Sequence, residues 1–356
     1  MWKQVEVVDD TFLPDIVRLT TEYYGSQNDI SRKKYLQHEY FCNPAGRVIL
    51  QIAYDEDEGA VVGQVAAVPI IIKIKDKEYK CLMVGNVLTS DACRRQGVFK
   101  TLGSGVYDKA VKESYDLAFA MPNQYSFPGF IKYHGFAEMG RVPLYVRPLV
   151  PSQMVKSYLH SKLLARCAGL FDGLYKIKIP EECSLIDFKD GLERYADEFW
   201  NIIKDSYQIM VRRDYAYLKW RFADIPFRHY SGYYALEDRR PVAFVLGRNM
   251  EVSGLKCAMI ADILFVEGYE YQAITALKKL LSNLMNDGAE MAGCMVPCFS
   301  KERKLLKKLG FFKCPRFLEP QPFRLVSRKL NQIDEDIKIA DDLNNWFFTM
   351  GNYDVV

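Results

Sequence analysis

The stretch Asn86-Val87-Leu88-Thr89-Ser90-Asp91-Ala92-Cys93-Arg94-Arg95-Gln96-Gly97-Val98-Phe99 decides how this chain is read. An apolar run ending in Asn86 to Thr89 gives way, across the hexamer Arg94 to Phe99, to a helix-like stretch from Lys100 to Ser114. A glycine inside such a strand-to-helix turn lets several backbone N–H groups converge outward, and the helix start adds the positive end of its dipole. The corner is therefore an anion site of the size of a pyrophosphate, and Arg94 and Arg95 add cations to it. By itself the hexamer is equally a solvated basic turn, so its surroundings decide its meaning.

Downstream, a strand-like run from Tyr115 to Met121 leads into Pro122-Asn123 and then Phe130-Ile131-Lys132-Tyr133-His134-Gly135-Phe136. Together these features resemble the acyl-CoA signature of the GNAT N-acetyltransferase superfamily, Gln/Arg-x-x-Gly-x-Gly/Ala. Arg94 stands first, Gly97 fourth and Phe99 last, where Gly or Ala is usual; Asn123 and Gly135-Phe136 resemble the Asn that ends the fifth strand and the closing Gly-Phe. Phe99 departs from the pattern and brings a bulky ring to the corner. The resemblance implies acetyl-CoA as co-substrate and no metal. It implies cofactor contacts from Val87, Leu88 and Thr89 to the pantetheine, from Arg94, Arg95, Gln96, Gly97, Val98 and Phe99 around the pyrophosphate, and from Asn123.

An internal repeat gives the architecture. Tyr35-Leu36-Gln37-His38-Glu39-Tyr40, followed by Pro44, recurs as Tyr217-Leu218-Lys219-Trp220-Arg221-Phe222, followed by Pro226 at the same spacing. Lys80 to Leu88 recurs in register as Lys256 to Leu264, and Gly135-Phe136 as Gly310-Phe311. The expected fold class is α/β, with two tandem GNAT-like domains, each a mixed, mostly antiparallel twisted sheet flanked by helices. The expected divisions are an acyl-CoA-binding domain over 1–148, an amphipathic linker helix over 149–180, a degenerate GNAT-like domain over 181–328 and a tail over 329–356. In the second copy Glu267-Gly268-Tyr269-Glu270-Tyr271-Gln272 replaces the basic hexamer, and its two carboxylates repel phosphate.

Acyl transfer to an amine needs a base, donors for the oxyanion and an acid for the departing thiolate. The family resemblance implies that N–H groups of the splayed central strand serve the oxyanion. Where the family places a tyrosine acid, four residues before Gly-Phe, this chain has Ile131, so Tyr133 and Tyr125 are the nearest phenols. Tyr133, Asn86 and Asn123 are the catalytic candidates. For the base, Glu39, Asp91 and Glu138 are available and no spacing selects one. Arg221 either packs within its helix or reaches an anionic acceptor group.

At 356 residues the chain is long enough for two domains, each able to bury a core. A net charge of +3 without long basic runs argues against a nucleic-acid partner. No stretch approaches the ~18 consecutive apolar residues of a membrane span, and no apolar leader opens the chain, so the expected location is cytoplasmic. Nine scattered cysteines with no Cys-x-x-Cys fit buried thiols in a reducing compartment. From Pro151 to Lys178 apolar residues recur at helical spacing among basic ones. This segment reads as a linker whose apolar stripe covers a domain face, or as a helix in peripheral contact with a membrane. The aromatic tail, Trp346 to Tyr353, is expected to fold back onto a domain or a cleft.

The expected partners are CoA and a small amine-bearing acceptor, and a homo-oligomer is compatible with the sequence. A faint resemblance to GNAT-like proteins of bacterial surface-polysaccharide synthesis, in Tyr217 to Arg221 and the tail, makes an amino sugar the first acceptor. The alternatives are a Fem-type aminoacyl or peptidyl transferase, and a catalytically silent CoA-binding or interaction module.

Overall fold

The computed structural model describes residues 1–180, 183–331 and 334–353. Its first half supplies strands β1 (Trp2–Val7), β2 (Ile49–Asp55), β3 (Ala60–Ile74), β4 (Lys77–Thr89), β5 (Leu117–Ala120), β6 (Ala137–Arg141) and β7 (Leu144–Pro148). The second half supplies β8 (Ser184–Asp187), β9 (Ile209–Val211), β10 (Ser231–Glu237), β11 (Arg240–Val252), β12 (Leu255–Phe265), β13 (Met291–Met295), β14 (Phe312–Lys313), β15 (Arg324–Lys329) and β16 (Trp346–Phe347). The helices that position the site are α1 (Leu13–Tyr24), α2 (Lys33–Phe41), α3 (Val98–Lys112) and α4 (Phe127–His134). Two sheets flanked by helices result, as the sequence predicts.

The long hairpin β3–β4 is built from β-branched and small apolar residues that alternate between two buried faces. Val65 and Ala67 join the core under α3, with Val98, Leu102, Val106 and Ala110. Ala66, Val68, Ile70 and Ile72 face the other way. That second core does not stop at the first half. It runs continuously from Leu13, Tyr35 and Ile52 through Trp200, Trp220 and Phe244 to Trp346. Each half keeps a core of its own under its outer helices, as expected, and the inner faces of both share this further one.

The sheets also cross the expected divisions at 148 and 328. The first sheet runs β1-β2-β3-β4-β5-β15-β6 and the second β14-β7-β13-β12-β11-β10-β8. Each half has given its closing strand to the other: β15 lies antiparallel between β5 and β6, with Val326 opposite Ala120 and Glu138, and β7 lies antiparallel between β13 and β14, with Val146 opposite Gly293 and Phe312. Only Val142-Pro143 separates β6 from β7. A two-residue hairpin needs positive φ, which proline cannot take, so the chain runs straight on into the other sheet.

The segment after β7 is not one helix. It forms α5 (Pro151–Leu159), a break at His160 with φ of 51°, α6 (Lys162–Ala168) and a 3₁₀ turn, Gly169–Tyr175. The tail is buried as expected: Trp346, Phe347 and Phe348 are fully covered, and β16 pairs with β9, which in turn pairs with β3.

Because β5 and β6 meet only through β15, residues 1–148 expressed alone should show no cooperative thermal transition by circular dichroism. Co-expression with residues 149–356 should restore it.

Candidate active site

Strands β4 and β5 run parallel from Cys81/Leu117 to Val84/Ala120 and pair no further. Beyond that point β4 keeps its ladder to β3, but with a bulge: Ala66 faces Gly85 and Gln64 faces Leu88, leaving Asn86 and Val87 opposite Val65 alone. Asn86 takes a positive φ of 48°. The splay opens a cleft of about 240 Å³ lined by Gly85, Asn86, Val87, Met121, Asn123 and Glu39, with Tyr24, Arg228 and Tyr353 among its other walls. The edge of β4 from Gly85 onward faces this cleft without a strand partner on that side among the described residues.

The basic turn sits at the same end of the sheet. Gly97 is left-handed, φ 80°, and caps α3, whose first N–H groups have no carbonyl inside the helix. A Cβ on Gly97 would meet nothing within 4 Å, so the corner is open. Arg94 is paired with Asp91 at 2.7 Å and lies over the Tyr23 ring, while Arg95 is exposed with φ of 63°. Gln96 donates to the Ala92 carbonyl at 3.0 Å. The side chains of Val98 and Leu88 are buried in the cores, which leaves only their backbone for a ligand. Thr89 pairs with Gly63. Phe99 packs edge-on against Phe130 and His134, with centroids 5.3 and 4.8 Å away. A Cβ at position 129 would stand 2.5 Å from the Phe99 ring, so Gly129 is what accommodates the departure from the family pattern.

Of the three candidate carboxylates the fold brings one to the cleft. Asp91 is spent on Arg94, and Glu138 lies by Arg324. Glu39, on α2, is 5% exposed and accepts a hydrogen bond from Asn86 Nδ2 at 3.0 Å. The same amide group donates to the Tyr40 hydroxyl at 2.9 Å. Burial pushes the Glu39 pKa up, and the Arg221 and Arg228 guanidiniums and the Asn86 donor oppose it. Asn86 thus orients this carboxylate directly.

The other candidates are placed differently. Asn123 Oδ1 accepts from the backbone of Tyr125 and Ser126, at 2.9 and 3.0 Å, so it serves the turn that starts α4 while lining the cleft. Tyr133 is corrected: it is exposed and lines a separate groove with Tyr107 and Arg328, and Tyr125 also points away from the cleft. Phe130 and His134, one turn apart, form the buried face of α4, and Tyr133 lies outside it. The phenols at the cleft are Tyr24 and Tyr353, and sequence spacing does not reveal either. Tyr353 donates to the Met121 carbonyl at 2.9 Å, so the tail closes one wall. The Tyr24 hydroxyl makes no hydrogen bond to another described residue, and desolvation raises its pKa.

The second copy has the same slot, filled. Strands β12 and β13 pair from Cys257/Met291 to Ile260/Cys294, as β4 and β5 do, and then part. Asp262, at the position of Asn86, pairs with Arg213 at 2.6 Å, both fully buried. Arg213 also donates to Asn352 Oδ1 at 3.2 Å, and Arg221 and Tyr217 donate to the Gly351 carbonyl at 3.3 Å. A Cβ on Gly351 would lie 3.0 Å from the Ala261 carbonyl oxygen, so the tail lies flat against β12. Arg221 is therefore tied to the tail, and the acidic turn Glu267 to Gln272 leads into a helix at Glu270 with no basic side chain in the turn.

Residues 5–136 match the family model described as an acetyltransferase (GNAT) domain. No curated protein sequence matches the chain. Among solved structures it is similar to a probable N-acyltransferase of unknown function from Enterococcus faecalis, with 11% identity and a TM-score of 0.62 over 93% of this chain and 73% of that one. It is likewise similar to a GCN5-related N-acetyltransferase from Anabaena variabilis, with 11% identity and a TM-score of 0.61 over 93% and 73%. The N-myristoyltransferase of Saccharomyces cerevisiae, solved with bound myristoyl-CoA, gives 11% identity and a TM-score of 0.62 over 92% and 78%. At this identity the likeness is one of fold.

Removing the Asn86 donor removes one of the forces that hold Glu39 ionised. Asn86→Ala should raise the Glu39 pKa further, read from the carboxyl carbon of a glutamate-labelled sample by NMR titration.

Proposed function

We propose, from the premise that residues 5–136 of this chain are a GNAT acetyltransferase domain, that it is an acyl-CoA-dependent N-acyltransferase acting on a small-molecule amine. The observation that carries the proposal is Glu39, a buried carboxylate oriented by Asn86 inside the splay of β4 and β5. The CoA pyrophosphate is assigned to the Gly97 corner, and the pantetheine to the unpaired edge at Val87 to Thr89.

In the reaction Glu39 accepts a proton from the incoming ammonium. The freed nitrogen attacks the thioester carbonyl, and N–H groups of the β4 edge stabilise the oxyanion. That attack forms the C–N bond, and collapse restores the carbonyl and breaks the C–S bond; the thiolate takes the Tyr24 proton, and the proton still carried by the new amide nitrogen passes to the Tyr24 phenolate. A carboxyl pKa raised toward neutrality suits the first step, because a base works best when its pKa lies near the working pH. Acetyl is the first acyl group to test and an amino sugar the first acceptor, from the resemblance carried by Tyr217 to Arg221 and the tail. An acyl-CoA donor assigns the reaction to the cytoplasm, where such thioesters are made.

Acetyl-CoA should bind with a Kd in the micromolar range, about −8 kcal/mol, measured by calorimetry. Gly97→Glu, which sets a carboxylate in the phosphate corner on a left-handed backbone, should weaken it at least about tenfold. Absence of binding heat from the unaltered protein overturns the assignment.

Glu39→Gln should leave acetyl-CoA affinity unchanged and lower kcat by roughly 10² to 10⁴. In the unaltered enzyme the rate should fall as pH drops through the raised Glu39 pKa, because the protonated carboxyl cannot accept the amine's proton. This acid limb should lie above the ordinary glutamate range and vanish from the residual activity of the variant.

A further inference from the structure

The linker between the halves carries an apolar stripe that the fold leaves uncovered. Leu163, Cys167, Leu170 and Leu174 follow one another at steps of four, three and four residues along α6 and the 3₁₀ turn, with Leu164 and Phe171 beside them, so they form one stripe. All six are exposed, Leu170 and Leu174 by more than three quarters and Leu163 by 74%. The small residue Ala165 is the buried side of α6. Asp172 also faces inward, accepting from the Ser152 N–H and hydroxyl at 3.0 and 2.6 Å. The stripe thus covers no domain face but is turned outward, and Asp172, the one acid from Pro151 to Lys178, is turned inward.

Among the described residues, the charges that border the stripe are of one sign. Lys162 and Arg166 flank it on α6, and Lys176 and Lys178 follow it. Next to Leu174 opens a groove of about 430 Å³ walled by Lys176, Lys178, Arg147, Lys278 and Lys308, with no acidic side chain among its described lining residues. A narrow apolar ridge bordered by cations matches a bilayer surface, where the ridge enters the acyl boundary and the cations meet phosphates. The same charge works against a second copy as the occupant, because face-to-face packing would bring like cations together.

We propose that Leu163 to Leu174, with the basic groove beside it, is an interfacial anchor that docks the protein onto anionic membrane. It does not depend on the acyl-transfer assignment, since it uses none of the cleft residues. Among the described residues no helix is long and apolar enough to cross a membrane, so the contact is a surface one.

The test is co-sedimentation of the full chain with phosphatidylglycerol–phosphatidylcholine vesicles against vesicles of phosphatidylcholine alone. Binding to the former should be at least about tenfold stronger and should weaken as salt is raised. Leu170→Ser with Leu174→Ser should lower it about tenfold or more, and Lys176→Gln with Lys178→Gln by several fold with a shallower salt dependence. All four positions are exposed, so an unchanged melting curve verifies the fold of each variant. No binding to anionic vesicles, or binding indifferent to the serine substitutions, overturns the proposal. So does a concentration-dependent dimer that those substitutions abolish, which would make the face a contact between copies.

Discussion

The exchange of closing strands is the constraint from which the rest of this structure follows. With β15 seated between β5 and β6, and β7 between β13 and β14, neither sheet is complete within its own half. The swap holds the two copies in a fixed relation and forces their inner faces into one continuous core. At its centre the repeated elements touch each other through equivalent positions: Trp220 Nε1 donates to the His38 carbonyl at 3.2 Å, His38 Nε2 donates to the Trp220 carbonyl at 2.8 Å, and the two rings stack. Such reciprocity is the mark of a local two-fold relation, the intramolecular form of an isologous contact.

That symmetry is broken at the next residue along, and there the chemistry begins. Glu39 and Arg221 occupy equivalent places, so a carboxylate faces a guanidinium across the axis and each copy inherits a different charge. Asn86 and Asp262 diverge in the same way: one orients Glu39, the other locks Arg213 into a buried pair. The tail then fills the second slot with Thr349 to Asn352 and, among the described residues, reaches the first with Tyr353. One duplicated frame thus holds an open cleft and a plugged one.

Much of this was legible in the residues. The Gly97 corner announces itself locally, because glycine, adjacent arginines and a helix start lie within a few positions. The repeat showed in Cys81 and Cys257, whose strands prove to be paired in the same register. Glu39 could not be singled out, since its partner Asn86 is 47 positions away and only the fold joins them. Tyr133 is misplaced by sequence because nearness to Gly135-Phe136 does not show that the buried face of α4 is taken by Phe130 and His134. The strand exchange left no trace, as nothing in Leu144–Pro148 or Arg324–Lys329 says which of two similar sheets each strand joins. The linker's periodicity revealed a stripe, and periodicity is blind to which way a stripe faces.

The strand exchange also sets the order in which the molecule can be made. The half that carries the open cleft needs Arg324 to Lys329 to finish its sheet, so during synthesis it waits, with β5 paired to β4 alone, until Lys329 has emerged. Contacts of such long sequence separation form slowly and leave strand edges bare in the interval. A nascent chain of this kind is a natural client for chaperones, and premature termination anywhere upstream of residue 324 yields no working half.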